Sequence, residues 1–128
     1  MIEHALKLEL EAQAGLSALI GDRLYYVTAP QDVAEPYVVF FKVSSVREHS
    51  HDGASNLATS RFQFSVFAQT YYEAKLVAAQ IQLALQGKHQ IIGGVGGLHA
   101  SITYDNETDM FENNLYHVAL EFLVMHSD

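Results

Sequence analysis

Cysteine is missing from this chain, which excludes disulfides, thiolate zinc sites and cysteine nucleophiles and suits a reducing compartment. Cations are scarce as well. Seven Lys plus Arg stand against 15 Asp plus Glu, for a net charge of -8, and so few cations disfavour tight binding to a nucleic-acid backbone, where cations must replace condensed counterions. No apolar run approaches membrane-spanning length. Met1-Ile2-Glu3-His4 opens an amphipathic, acid-containing segment without a basic flank or an apolar signal core, so a soluble, unsecreted chain is expected. No Gly-x-Ser-x-Gly elbow advertises a serine nucleophile. The run Gly93-Gly94-Val95-Gly96-Gly97 lacks a following Gly-Lys-Ser/Thr and leads into a strand instead of a helix, so it reads as a flexible turn and not a phosphate cradle. Internal repeats, domain linkers and low-complexity tracts are absent too.

What is present begins with size: 128 residues can bury roughly two thirds of their unfolded surface, which predicts one domain spanning residues 1–128. The chain is organised around residues Arg61 to Gly87. Phe62, Phe64 and Val66 alternate with Arg61, Gln63 and Ser65, the period of a strand with one face in a core. Thr70-Tyr71-Tyr72-Glu73 then fits a capping box, and the helix it opens should run to Leu85 or Gln86, with Gly87 free to take the left-handed closing conformation. Ala74, Val77, Ala78, Ile81 and Leu85 form one apolar stripe on this helix, and Leu76, Ala79 and Leu83 form a second nearly opposite. One helix thus has two surfaces to bury.

From Ile2 to Ile20 the apolar positions Ala5, Leu8, Ala12, Leu16 and Leu19 share a face, which predicts a first helix that Gly15 weakens and Gly21 ends. A short strand is expected over Arg23 to Val27, and the prolines Pro30 and Pro36 make residues 28–36 an irregular connection. Tyr37 to about Val46 is dense in strand formers. Arg47 to Ala58, polar and without periodicity, predicts a long exposed hairpin loop suited to reaching a neighbour. A strand begins near Leu98, where Ala100, Ile102 and Tyr104 alternate with polar residues, and Asn113-Asn114 marks a turn. In the last strand Tyr116, Val118, Leu120, Phe122 and Val124 face one way; the other side, with Leu115, His117, Ala119, Glu121, Leu123 and Met125, is too apolar for an ordinary solvated sheet face. The order α-β-β-β-α-β-β predicts an α+β domain, with two helices on one face of a mainly antiparallel sheet of four to five strands.

Candidate chemistry is sparse. His49-Ser50-His51-Asp52 has His-x-His spacing, but a loop without a fixed element beneath it reads as solvated polar surface instead of a metal site. Asp105-Asn106-Glu107-Thr108-Asp109 looks like the opening of a calcium loop, yet Met110 stands where glycine is needed and Tyr116 where the closing glutamate belongs. Phe62, Phe64 and Phe67 lack the cations of a base-stacking platform and read as core and interface.

Several stretches in order carry a family likeness: Leu19-Ile20-Gly21-Asp22-Arg23-Leu24-Tyr25, Ala29-Pro30-Gln31, Pro36-Tyr37-Val38-Val39-Phe40, Arg61 to Phe67, Tyr72-Glu73-Ala74, and Tyr116 to Val124. Across nearly its whole length the chain resembles the small tail completion, or head–tail joining, proteins of long-tailed bacteriophages and prophages. The resemblance implies a structural role without catalytic residues or cofactors: a ring, hexameric by analogy, at the head-proximal end of the tail. Such a ring stops tube growth and meets tail-tube and neck or head-completion proteins. It implies a place in the virion tail or neck, reached by assembly in the bacterial cytoplasm, with DNA passing through an acidic annulus that repels it.

A closed ring uses two different patches on each subunit. Leu76, Ala79 and Leu83 are the first candidate patch, and Leu123 with Met125 the second; His49, His51 and Asp52 are candidate loop contacts. Two rival readings stay open from the residues themselves. One is a small cytoplasmic α+β module that binds a protein or ligand; the other is a metal-dependent enzyme using His49, His51 and the 105–109 acids.

Overall fold

The fold is that of a computed structural model, which describes residues 1–50, 53–94 and 97–127. Its elements are α1 (Ile2–Glu11), α2 (Ala14–Ile20), β1 (Leu24–Tyr26), β2 (Tyr37–Ser50), β3 (Gly53–Ala68), α3 (Tyr71–Leu85), β4 (His89–Ile92), β5 (Leu98–Glu112) and β6 (Leu115–Ser127). The six strands form one sheet in the order β1-β2-β3-β6-β5-β4. β1 runs parallel to β2, with Leu24 beside Val38, and the other neighbours are antiparallel. The α+β class stands, but the expected sheet of four to five strands with two helices is corrected to a mixed sheet of six strands with three helices.

Each departure has a local cause. The expected first helix is two, because Gln13 adopts extended backbone (φ -80, ψ 102) and restarts the helix as α2. The Gln13 side-chain Nε2 donates to Gln80 Oε1 at 3.0 Å, and Gly15 sits so close that a Cβ there would lie 2.2 Å from the same oxygen. α3 thus fixes the break, and the changed direction lets Leu6 and Leu10 on α1 and Leu16 and Ile20 on α2 all reach the core. Leu8 and Ala12, expected inside, are exposed, and Leu19 is half-buried. β4 is the strand that the pattern missed: His89 and Ile91 pair with Ser101 and His99 across an otherwise exposed edge. The expected Arg47–Ala58 loop is likewise corrected, since Arg47 pairs with Ala58, His49 with Ala54 and Ser50 with Gly53. Backbone ladders need no hydrophobic alternation, so a ribbon built from a polar stretch leaves no periodic mark in the sequence.

The central stretch folds as its pattern dictates. Phe62, Phe64 and Val66 of β3 are fully buried beside Val118, Leu120, Phe122 and Val124 of β6. Phe64 stacks on Phe40 at 5.0 Å between centroids and meets Phe122 edge-on at 5.6 Å. Thr70 Oγ1 accepts from the Glu73 amide at 3.1 Å, the N-cap that starts α3, and Gly87 takes φ +72 just beyond its end. Ala74, Val77, Ala78, Ile81 and Leu85 all lie in the same core as the buried residues of α1 and α2. The helices therefore cover one face of the sheet.

Candidate assembly surfaces

The outer side of α3 carries the second stripe. Leu76 is 39% exposed and Leu83 69%, Ala79 between them is exposed, and Tyr72, one turn before Leu76, is 75% exposed. From Leu76 to Gln86 the helix has no charged residue. Helical spacing places Tyr72, Leu76, Ala79 and Leu83 on one ridge.

The sheet face turned away from the helices is the other unusual surface. Val39 and Ala119 are buried there yet lie outside the helix-side core. At one end of this face Leu123 is half-buried and Met125 is 44% exposed. At the other end a cavity of about 450 Å³ opens between the 27–30 loop and the strands, with Tyr37, Val39, Phe41, Phe67 and His117 among its walls. Phe67 stacks on Tyr37 at 5.1 Å and on the His117 ring at 4.3 Å. Burial, and then the charge of Glu35, raise the Tyr37 hydroxyl above its ordinary range, so it stays neutral.

His117 is itself buried. Its Nδ1 lies 3.0 Å from Glu112 Oε1; an ionised carboxylate can only accept, so Nδ1 carries the proton and donates. In the neutral ring Nε2 is then an acceptor, and it is shielded from water without a partner among the described residues. Sequence reasoning placed His117 on the apolar side of β6 but gave it no role. The run Tyr37 to Phe41, apolar at both odd and even positions, is the signal that this region buries two faces.

Several cations are paired within the subunit. Arg61 bridges Asp105 at 2.5 Å and Glu121 at 2.8 Å, Lys42 meets Glu3 at 3.3 Å, and Lys88 holds Glu9. Lys75 of α3 holds Glu107 and lies 3.2 Å from Asp109, and the Tyr71 hydroxyl donates to Asp109 at 2.7 Å. The Tyr71 bond first, and the Lys75 contacts after it, lower Asp109 below its ordinary range; the Glu107 bond chiefly raises Lys75. The 105–109 acids thus belong to β5 and act as partners for Arg61, Tyr71 and Lys75.

The other singled-out residues are scattered. His49 is a backbone position on β2 opposite Ala54, while His51 and Asp52 lie outside the described residues. Leu76, Ala79 and Leu83 stand on the helix layer, and Leu123 and Met125 on the opposite side of the sheet, so the two candidate patches do not merge. Among the described residues no group of three or more His, Asp or Glu is placed to hold a metal ion, and no helix is long and apolar enough to cross a membrane.

The fold recurs in solved structures. A chain of the virion of a native gene transfer agent particle superposes with a TM-score of 0.79 at 23% identity, covering 96% of this chain and 92% of its own. A second solved chain, whose name states no function, superposes with a TM-score of 0.65 at 14% identity, covering 98% and 96%. No curated protein matches the sequence. The family model described as "Tail completion protein gp17" matches residues 4–127, from the first turn of α1 to the end of β6. By that match the chain belongs to the tail completion protein gp17 family, and it is a structural component of a phage-type tail.

Proposed function

We propose that this protein is a non-enzymatic, ring-forming tail completion component that ends the tail tube and connects it to the neck. The observation that carries the reading is surplus apolar surface on two sides of one subunit. Leu76 and Leu83 are exposed on the helix layer, and Met125 beside half-buried Leu123 on the bare sheet face. Two unlike patches on opposite sides suit a heterologous contact, which closes into a ring when the rotation per subunit divides the circle. The ring is hexameric by analogy with the family, each subunit acting as one domain over residues 1–128. Its partners are copies of itself, the tail-tube protein and the neck or head-completion proteins, met in the host cytoplasm and retained in the virion. DNA passes through the ring without tight binding, in keeping with the acid excess.

Removing the chain from cells that make the particle tests this. Electron microscopy should show tails of uncontrolled length lying apart from filled heads, restored by supplying the protein. Tails of normal length, attached to heads in its absence, would overturn the proposal.

A further inference from the structure

The ridge on α3 and the cavity beside His117 share a property that few surfaces of an acidic protein have. Between Leu76 and Gln86 the helix carries no charge, and no Asp, Glu, Lys or Arg lines the cavity. Copies with a net charge of -8 repel one another, so they approach at least cost where the local charge is lowest. Lys42, Arg61, Lys75 and Lys88 are held by carboxylates of their own subunit, which makes them less available to attract a neighbouring copy. One surface is convex, a row of side chains on a helix; the other is a hollow in the sheet. They also lie on opposite sides of the molecule, so a ridge seated in the hollow of the next copy makes a head-to-tail contact.

His117 adds an independent reason. With Nδ1 donating to Glu112, its shielded Nε2 has no hydrogen-bond partner among the described residues. The ridge includes one hydroxyl, that of Tyr72, which is 75% exposed. We infer that the Tyr72–Leu83 ridge of one copy seats in the Val27–His117 hollow of a second copy, the wall over His117 Nε2 shifting enough on docking to admit the Tyr72 hydroxyl. This rests on the ring-forming reading and names the two surfaces that meet.

The absence of native cysteine makes the contact testable by disulfide trapping. Leu76→Cys at the centre of the ridge and Gln63→Cys on the floor of the hollow are placed in one chain. The chain is oxidised in particle-producing cells and, separately, as concentrated purified protein. A ladder of cross-linked dimers, trimers and higher forms is expected in either setting, and neither single variant should give more than background. Efficient dimers from Leu76→Cys alone would mean ridge against ridge and would overturn the pairing. Should the double variant melt well below the parent, Leu83→Cys with Phe41→Cys probes the same surfaces. Adding Tyr72→Phe should lower the ladder yield several-fold; an unchanged yield removes Tyr72 as the partner of His117. If no pair cross-links while the unmodified chain still forms multimers and restores tails, the named surfaces are wrong and the ring reading stands. If the unmodified chain does neither, both fall.

Discussion

Phe64 is enclosed by Phe40 on one side and Phe122 on the other, with no exposed surface of its own. Phe64→Ala should therefore cost about 3–5 kcal/mol, read as a lower midpoint in urea with little change in slope. Asp109 gives a subtler residue-scale test. Its carboxyl is lowered first by the Tyr71 hydroxyl and then by Lys75, so its share of stability is complete above the unfolded carboxylate value. That share is lost as pH falls through the depressed folded value. Tyr71→Phe should shift the Asp109 titration upward when followed by NMR. The variant should be less stable than the parent at neutral pH, and the two should converge in acid below the folded Asp109 value. A gap that stays constant down to that range would mean that Tyr71 acts through packing on Tyr116 instead of through its hydroxyl.

Among the elements, α3 depends on its cap and the β5–β6 hairpin on its turn. Thr70→Ala removes the acceptor for the Glu73 amide and should cost about 1 kcal/mol in a thermal melt. Asn113 and Asn114 both have positive φ, 52° and 62°, the conformation that a two-residue turn between twisted strands requires. Asn114→Gly should leave stability unchanged or slightly raised, whereas Asn114→Val should lower it by roughly 1–2 kcal/mol. These elements were legible because their signals are local: a cap, a turn pair, an alternation. The break at Gln13 was not, because Gln80, 67 residues away, fixes it. The parallel pairing of β1 escaped for a related reason, since residues 28–36 reveal an irregular connection but not the direction in which it returns the chain. Of the candidate surfaces, the ridge could be read from helical spacing alone. The hollow could not, because the unmet His117 nitrogen appears only once Glu112, Phe67 and the 27–30 loop are brought around it.

At the scale of the whole molecule, stability and assembly reside in different residues. The core uses the inner stripe of α3 and one face of the sheet, leaving Leu83 mostly exposed and Leu76 outside the core cluster though partly covered. Leu83→Asp should thus change folding stability by no more than about 0.5 kcal/mol, and Leu76→Asp, at a partly covered position, by about 1 kcal/mol. The same pair should reduce joined heads and tails by about tenfold or more, counted by electron microscopy, if those side chains lie between subunits. A loss of joining accompanied by an equal loss of fold would place them in the core instead. The rims of the sheet carry one more consequence. Its outermost strands are brief, three residues in β1 and four in β4, so among the described residues β2 beyond Phe40 and β5 beyond Ile102 pair with a strand on one side only. The bulges at Lys42/Ser44 and Tyr104/Asn106 and the acids Asp105, Glu107, Asp109 and Glu112 along β5 discourage endless strand addition at those edges, and concentrated solutions should stay free of fibrils that bind amyloid dyes. Counting is left to the side chains, which can recognise a neighbour and stop when the circle is full.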